Sequence, residues 1–134
     1  MVDTVTRGTK MNKGNILVVE DERIISLEIR LILQKLGYTV IDILPTGEEA
    51  LDKVLKNEPD LILMDIMLDG AMDGIETVEK IRKRSNVPVI YMTAYSDTKT
   101  RRRAAATNPI HFLVKPIPMK ILEELLPDIL YNRV

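Results

Sequence analysis

The chain has 134 residues, enough for one domain with a sizeable core, and 46% of them are hydrophobic, which argues against disorder. Its formal net charge is −1, from 19 basic and 20 acidic residues, and this balance indicates neither a nucleic-acid surface nor an anionic-lipid surface. It has no cysteine and one histidine, which excludes disulfides, thiol nucleophiles and multi-histidine metal sites, and no apolar run is long enough to span a membrane, so we expect a cytoplasmic protein.

Residues 1–15 are polar and lack periodicity, and we interpret them as a disordered leader or a remnant of expression cloning. One domain over residues 16–130 is expected to follow. Five short apolar runs predict buried strands, at residues 16–19, 38–44, 60–64, 87–92 and 110–114. Amphipathic segments after them predict five helices, over residues 22–36, 46–57, 75–84, 97–107 and 118–126.

The ends of these helices follow from glycine, proline and capping residues. Gly37 predicts the end of the first helix, because glycine adopts the left-handed conformation that commonly closes a helix. Thr46 with Glu49 three residues later predicts a capping box at the start of the second helix. Pro118 suits the first position of the last helix, and Pro127 is expected to stop that helix early.

The alternation of strands and helices predicts an α/β fold, with a parallel sheet, helices on both faces and right-handed crossovers. An open sheet of this kind binds its ligands beyond the carboxyl ends of the strands. With strand one central in the order 2-1-3-4-5, the side chains that follow strands one, three, four and five should meet. These residues are Glu20 and Asp21, Asp65, Thr93, and Lys115.

Such a cluster predicts a phosphoryl site that includes a metal ion. Carboxylates within a few ångströms repel one another by roughly 1 kcal/mol per pair in water, so a cation should bind among them. Ligands that are all oxygen favour Mg²⁺, which keeps several waters and completes its shell with phosphate oxygens. Thr93 and Lys115 offer a hydrogen-bond donor and a positive charge to the same oxygens. The Asp65 carboxylate is then a candidate nucleophile that would form an acyl phosphate.

The pattern resembles the receiver domain of two-component response regulators. The residues that carry the resemblance are Glu20-Asp21, Asp65, Thr93 and Lys115-Pro116, each at the end of its predicted strand. The resemblance implies a flavodoxin-like (βα)₅ fold, with a parallel five-stranded sheet in the order 2-1-3-4-5. It also implies a phosphoacceptor signalling domain, which catalyses only its own phosphotransfer and dephosphorylation, with a sensor histidine kinase as phosphodonor.

The resemblance assigns a role to each residue of the cluster. Asp65 would accept the phosphoryl group, and Lys115 would contact that group. Asp21, Asp65 and the backbone carbonyl of Met67 would bind Mg²⁺ directly, and Glu20 would act mainly through a water on the metal. The bond from Lys115 to the proline that follows is usually cis in the family, an isomer that X–Pro bonds permit.

The resemblance further implies a switch that ends in partner binding. Thr93 would move toward the phosphoryl oxygens, and the ring of Phe112 would rotate inward into the space that Thr93 leaves. Phe112 stands where tyrosine is commoner, so a step that uses a phenol hydroxyl is missing. The face around the fourth helix, fifth strand and fifth helix would then bind a downstream protein that the sequence does not identify, and a homodimer is left open.

Several positions depart from the family pattern. Leu68-Asp69 replaces the usual Met-Pro after the phosphoacceptor, and the loop that follows Asp65 is one residue longer than usual. Asn108 stands where glycine is common, which is a mild change because asparagine tolerates the left-handed conformation. After residue 126 too few residues remain for an output domain, so we expect a single-domain regulator or an excised piece.

The first helix carries a second apolar stripe in addition to its core face. Ile24, Leu27 and Leu31 lie opposite the face predicted to pack on the sheet, and an exposed apolar stripe often marks a docking surface. We interpret the stripe as a contact for the kinase helices. The alternative is partial burial under neighbouring loops.

Two rival functions use the same fold. A flavin- or nucleotide-binding protein would need a Gly- or Ser/Thr-rich loop after strand one, and an acidic segment stands there instead. A phosphorylation-independent interaction module would show no Mg²⁺-dependent labelling of Asp65. The arginines of residues 101–103 are interpreted as a solvated face, so we expect no nucleic-acid partner.

Overall fold

The computed structural model of the protein describes residues 12–94 and 97–131. Within these ranges no helix is both long and apolar enough to cross a membrane. The strands are β1 (Asn15–Val19), β2 (Thr39–Leu44), β3 (Leu61–Asp65), β4 (Val89–Thr93) and β5 (His111–Val114). The helices are α1 (Arg23–Lys35), α2 (Gly47–Lys56), α3 (Gly74–Ile81), α4 (Thr98–Ala105) and α5 (Met119–Leu130). Most of the predicted leader, residues 1–11, lies outside the described residues.

All five strands run parallel in one sheet, in the order β2-β1-β3-β4-β5, which confirms the predicted topology. Alternate residues of each strand point to opposite faces, so the sheet has a core on each side. On β3, Leu61 and Leu63 belong to the core shared with α1 and α5. Ile62 and Met64 belong to the core shared with α2, α3 and α4. Helices therefore cover both faces, as expected for a parallel sheet.

The end of α1 shows the predicted glycine closure. Gly37 has a φ of 98°, and its amide donates to the Gln34 carbonyl at 3.1 Å. The amide of Tyr38 donates to the Leu33 carbonyl at 3.0 Å, so the two bonds together satisfy the last carbonyls of the helix. This closure turns the chain directly into β2.

The start of α2 matches the predicted capping box in part. The Thr46 hydroxyl oxygen accepts from the Glu49 amide at 3.2 Å, as expected for the capping residue. The Glu49 carboxylate accepts from the Thr46 hydroxyl at 2.9 Å rather than from its backbone amide, so the box is one-sided. A complete box occurs instead at the start of α3, between Asp73 and Glu76.

The prediction that Pro127 stops the last helix is wrong, because α5 continues to Leu130. A proline inside a helix removes one backbone hydrogen bond and is locally unfavourable. Leu126 and Ile129, on either side of it, are buried in the core beneath the sheet, and this burial keeps the last turn helical. The helix begins one residue later than predicted, with Pro118 at its capping position.

Candidate functional site

The register between β1 and β3 brings the first two acids of the site together. Val19 is paired with Met64, so the next residues along the two strands, Glu20 and Asp65, are neighbours at the sheet edge. Both acids are buried, with 2% and 3% of their surface exposed. Two carboxyl groups therefore end two adjacent apolar strands at the same level.

The register on the other side of β3 adds the hydroxyl and the ammonium. Asp65 is paired with Met92, and Thr93 is paired with Val114. Thr93, the last residue of β4, is fully buried, and the amide of Lys115 donates to its carbonyl at 2.7 Å. The four predicted strand ends thus meet at one edge of the sheet.

The Lys115 side chain lies between the two buried carboxylates. Its Nζ donates to Asp65 Oδ2 at 3.2 Å and also to Glu20 Oε1. The peptide bond between Lys115 and Pro116 is cis, as expected from the family resemblance. The ammonium offsets one of two negative charges, so the buried group keeps an excess negative charge when both acids are ionised.

This crowding changes the acidity of all three groups. Burial raises the pKa of Glu20 to about 7, and the hydrogen bond from Lys115 opposes this shift without cancelling it. Burial also raises the pKa of Asp65, against the nearby Lys115 charge. Burial alone would lower the pKa of Lys115, but its hydrogen bond to Glu20 and the charge on Asp65 raise it overall. The site is short of positive charge.

A divalent cation fits this arrangement. Glu20, Asp21 and Asp65 can each offer one carboxylate oxygen, and these oxygens lie within 4.8 Å of one another. Asp21 is partly exposed, so the cluster opens toward solvent on that side. Oxygen ligands and remaining space for water suit Mg²⁺. The charge of the ion would neutralise the negative charge of the carboxylates that Lys115 leaves uncompensated.

The loop after β3 continues the site. The Met67 amide lies 3.3 Å from Asp65 Oδ1 and donates to it, so the Met67 peptide runs directly past the carboxylate. The Met67 side chain is 66% exposed. Gly74 allows α3 to begin against the strand end, because a Cβ there would lie 2.0 Å from the Asp65 carbonyl oxygen. Backbone rather than side chains therefore forms this wall of the site.

A further contact to this loop was not predicted from the sequence. Glu48, in the first turn of α2, accepts a hydrogen bond from the Ala71 amide at 2.9 Å. Thr46 also forms an isolated parallel bridge with Asp69. The sequence identified the start of α2 as a helix cap and gave no signal that Glu48 reaches the loop after β3.

The predicted switch residue Phe112 lies half-buried on β5. Its ring centroid is 6.3 Å from that of Tyr91, and the Arg101 guanidinium carbon lies 4.5 Å from the Phe112 centroid. Arg103 forms an ion pair with Asp73 at 3.1 Å. Two residues of the arginine run, which was interpreted as a solvated face, therefore have partners within the chain.

The second apolar stripe of α1 is exposed. Ile24, Leu27 and Leu31 have 76%, 48% and 61% of their surface accessible. A groove of 630 Å³ lies between α1 and the segment after β5, next to Lys115. Its apolar lining includes Ile25, Leu31, Ile32, Ala94, Pro116 and Ile117. Ile24 and Leu31 are mostly exposed, whereas Leu27, with about half of its surface covered, is consistent with the alternative of partial burial.

Comparison with known proteins places these features in a family. The chain matches the model of the response regulator receiver domain over residues 16–126. It is 37% identical over 105 residues to the transcriptional regulatory protein ResD of Bacillus subtilis (strain 168), covering 78% of this chain and 43% of ResD. It is 36% identical over 108 residues to the response regulator ArlR of Staphylococcus haemolyticus (strain JCSC1435), covering 81% and 48%. The chain spans about half the length of the curated relatives it matches.

Solved structures share the fold at higher coverage. The signal receiver domain of a modulated diguanylate cyclase from Desulfovibrio desulfuricans G20 superposes with a TM-score of 0.82 at 35% identity, covering 89% of this chain and 94% of that one. A CheY-like receiver domain protein from Methanospirillum hungatei JF-1 superposes with a TM-score of 0.81 at 29% identity, covering 88% and 94%. Since the family model covers most of the sequence and the sheet order agrees, the chain belongs to the receiver domain family of two-component response regulators.

Proposed function

We propose that this receiver accepts a phosphoryl group from a sensor histidine kinase onto Asp65, in a reaction that requires Mg²⁺. The observation that carries the proposal is the placement of the Lys115 ammonium 3.2 Å from an Asp65 carboxylate oxygen, beside two further acids. The carboxylate can attack phosphorus while Lys115 stays close to the transferred group. The domain boundaries expected from the sequence, residues 16–130, fit this proposal.

The transfer exchanges one bond to phosphorus for another. The N–P bond of a phosphohistidine breaks, and the electron pair stays on the imidazole nitrogen. An Asp65 carboxylate oxygen forms the new O–P bond, which gives an acyl phosphate that water later hydrolyses. Phosphoryl transfer of this type depends on positioning and charge neutralisation.

The metal would be held by the acidic side of the site. Asp21, Asp65 and the Met67 backbone carbonyl are the proposed direct ligands, and Glu20 is proposed to act through a water molecule. When bound, Mg²⁺ supplies positive charge for the phosphoryl oxygens. Because Glu20 and Asp65 are buried with raised pKa values, a cation there also favours the ionised form that the nucleophile needs.

The signal would then leave the site through β4 and β5. Thr93 is proposed to donate its hydroxyl to a phosphoryl oxygen, and Phe112 is proposed to move inward as Thr93 shifts. Arg101 lies over the Phe112 ring, so an inward rotation would break this contact and change the surface of α4. An unidentified downstream protein would bind the changed face, and a homodimer through it stays a prediction.

We infer that the kinase docks on the exposed stripe of Ile24, Leu27 and Leu31. One residue of the stripe, Leu31, also lines the apolar groove beside Lys115, so a helical partner that covers both would bring a phosphohistidine close to Asp65. A cytoplasmic location is part of the same proposal, since receivers meet their kinases there.

The proposal is tested by incubating the chain with acetyl phosphate and Mg²⁺ and measuring its intact mass. We expect a gain of one phosphoryl unit that is absent with a chelator and absent in Asp65→Asn. Asp69→Asn is the matched control, because it removes a carboxylate from the same loop and should still be labelled. If Asp65→Asn is labelled like the native chain, the phosphoacceptor is another residue.

The alternative is an interaction module that keeps the fold without phosphorylation. The exposed stripe on α1 favours a docking role whether or not Asp65 is phosphorylated. This alternative predicts that Asp65→Asn binds the partner as well as the native chain does. It also predicts that the native chain shows no Mg²⁺-dependent gain of mass.

A further inference from the structure

The loop between β3 and α3, residues 66–73, is anchored at both ends without help from α2. At its start the amide of Gly74 donates to the Ile66 carbonyl at 2.8 Å, and at its end Asp73 caps α3. Between these anchors the chain passes the acidic cluster at Met67, whose amide donates to Asp65 Oδ1 at 3.3 Å. The Met67 peptide therefore lies next to Asp65, in the part of the loop that precedes its contacts with α2.

The middle of the loop is tied to the first turn of α2. The Glu48 carboxylate accepts from the Ala71 amide at 2.9 Å, and Thr46 bridges Asp69. Gly70, between these two contacts, has a φ of 98°, and a Cβ there would lie 3.1 Å from Glu48 Oε1. The chain therefore turns directly over the Glu48 carboxylate, in a conformation that suits glycine.

The contact has a particular physical character. A carboxylate that accepts from a backbone amide forms a charge-assisted hydrogen bond, which is stronger than a neutral one. Both groups are exposed, so its contribution to global stability is small. Its main effect is local, because it restrains the middle of the loop between the bridge at Asp69 and the cap at Asp73. Groups that orient metal ligands in this way affect metal affinity although they do not touch the metal.

We propose that Glu48 is a positioning residue for the magnesium site, which acts by holding the loop that carries the Met67 carbonyl. The inference rests on the proposed function, since it takes Met67 as a metal ligand. Glu48 touches neither the metal nor the phosphoryl group in this role. From α2, it holds the backbone of the loop after β3 in place by accepting the hydrogen bond from the Ala71 amide.

The test measures Mg²⁺ affinity of the full chain by isothermal titration calorimetry, without a phosphodonor. We expect Glu48→Ala to raise the dissociation constant about three- to tenfold, at or below the range typical for groups that orient metal ligands. Glu48→Gln keeps an acceptor oxygen and should stay within about twofold of the native chain, because the hydrogen bond to Ala71 can re-form.

Glu49→Ala is the matched control. It removes the same charge from the same turn of α2, but its carboxylate is turned toward Thr46 rather than toward the loop. We expect its Mg²⁺ affinity to stay near that of the native chain. A loss in Glu48→Gln or in Glu49→Ala as large as in Glu48→Ala would mean that charge alone is responsible, and the proposal would be wrong.

Hydrogen exchange of the native chain provides a readout that needs no variant. The Ala71 amide should be protected, and Mg²⁺ should increase its protection, because metal and Glu48 restrain the same loop. An Ala71 amide that exchanges freely with and without Mg²⁺ overturns the inference. If the native chain binds Mg²⁺ and is phosphorylated while Glu48→Ala behaves identically, only this inference fails. If the native chain does neither, the proposed function itself fails.

Discussion

The strand interiors and the strand ends of this sheet are equally buried but chemically opposite. Val19 is fully buried, and the next residue, Glu20, is 2% exposed. Met64 is fully buried, and the next residue, Asp65, is 3% exposed. One step along either strand replaces an apolar side chain with a carboxylate, without bringing it into solvent.

The residues of the strand interiors stabilise the fold, whereas the residues at the strand ends do not. Burying apolar surface contributes about 25 cal/mol per Å², so the strand interiors favour folding. Burying a carboxylate is unfavourable unless it is paired, and Lys115 pairs two of them incompletely. A chain selected for stability alone would not keep this cluster. Stability therefore does not explain the strand ends, and their residues fit the proposed binding of a cation and a phosphoryl group.

The largest expected effect comes from truncating a strand interior. Leu63 is fully buried in the core shared with α1 and α5. Leu63→Ala should lower the free energy of unfolding by about 2–5 kcal/mol, because buried methyl groups are lost and a cavity remains. Urea unfolding followed by circular dichroism measures the change.

Leu55→Ala is the control for this prediction. Leu55 lies on α2 with half of its surface exposed, so the same truncation should cost less than about 1 kcal/mol. Equal losses in the two variants would show that burial does not determine the stability of this sheet.

A smaller loss is expected when the cation of the strand ends is removed. Lys115→Met leaves Glu20 and Asp65 without their ammonium partner, and we expect a loss of about 1–3 kcal/mol at pH 8. The loss is limited because Glu20 can take up a proton, so that Glu20 and Asp65 need not both be ionised in the variant. The variant should therefore recover stability at pH 5, as measured by urea unfolding at both pH values.

Lys53→Met provides the comparison at the surface. Lys53 lies 3.8 Å from Asp42, and both side chains are about a third or more exposed, so its removal should cost about 0–1 kcal/mol at either pH. If Lys115→Met behaved in the same way, the strand ends would not differ energetically from an ordinary surface ion pair.

The stability of the metal-free chain should depend on pH, because burial makes the ionised form of Glu20 unfavourable. The pKa of Glu20 is raised from 4.5 to about 7, so its contribution to stability is fully present below pH 4.5 and is lost as the pH rises through 7. Thermal unfolding in a chelator should therefore show the native chain losing up to about 3 kcal/mol over this window relative to Glu20→Gln. Burial also raises the pKa of Asp65, which acts in the same direction.

Mg²⁺ is the control for the pH experiment. A bound cation favours the ionised carboxylates, so the decline should shrink when Mg²⁺ replaces the chelator. Identical pH profiles in the native chain and Glu20→Gln would mean that Glu20 is not strained in the folded protein.

The sequence predicted the strand ends because their position follows from topology. Parallel strands end at one edge of a sheet, so Asp65, Thr93 and Lys115 could be brought together before any distance was known. The register then decides details such as the pairing of Asp65 with Met92, and those come from packing. The role of Gly37 could also be predicted from the sequence, because the left-handed conformation that closes a helix favours glycine.

The predictions that failed or were missing depend on contacts far apart in sequence. Pro127 was expected to stop α5 by a local rule, and burial of Leu126 and Ile129 overrode that rule. Glu48 reaches Ala71 across 23 positions, and nothing in the first turn of a helix identifies such a partner. The contact of Arg101 with the Phe112 ring was missed for the same reason, although Arg101 is exposed, as expected for a solvated face.

The smallest effect on stability is expected on the outer face of α1, where apolar side chains are exposed instead of buried. Leu27→Asp should change the free energy of unfolding by less than about 0.5 kcal/mol, because a half-exposed side chain loses little on substitution. The same variant should lose about tenfold or more in phosphotransfer rate from the cognate kinase, since a charge would replace an apolar contact at the centre of the stripe. Labelling by acetyl phosphate should be unchanged, which separates docking from chemistry.

Leu55→Asp, at an equally exposed leucine on α2, is the control and should leave both reactions intact. Unchanged transfer from the kinase to Leu27→Asp would remove this stripe from the docking surface. A parallel loss with acetyl phosphate would mean that the substitution acts on the site itself.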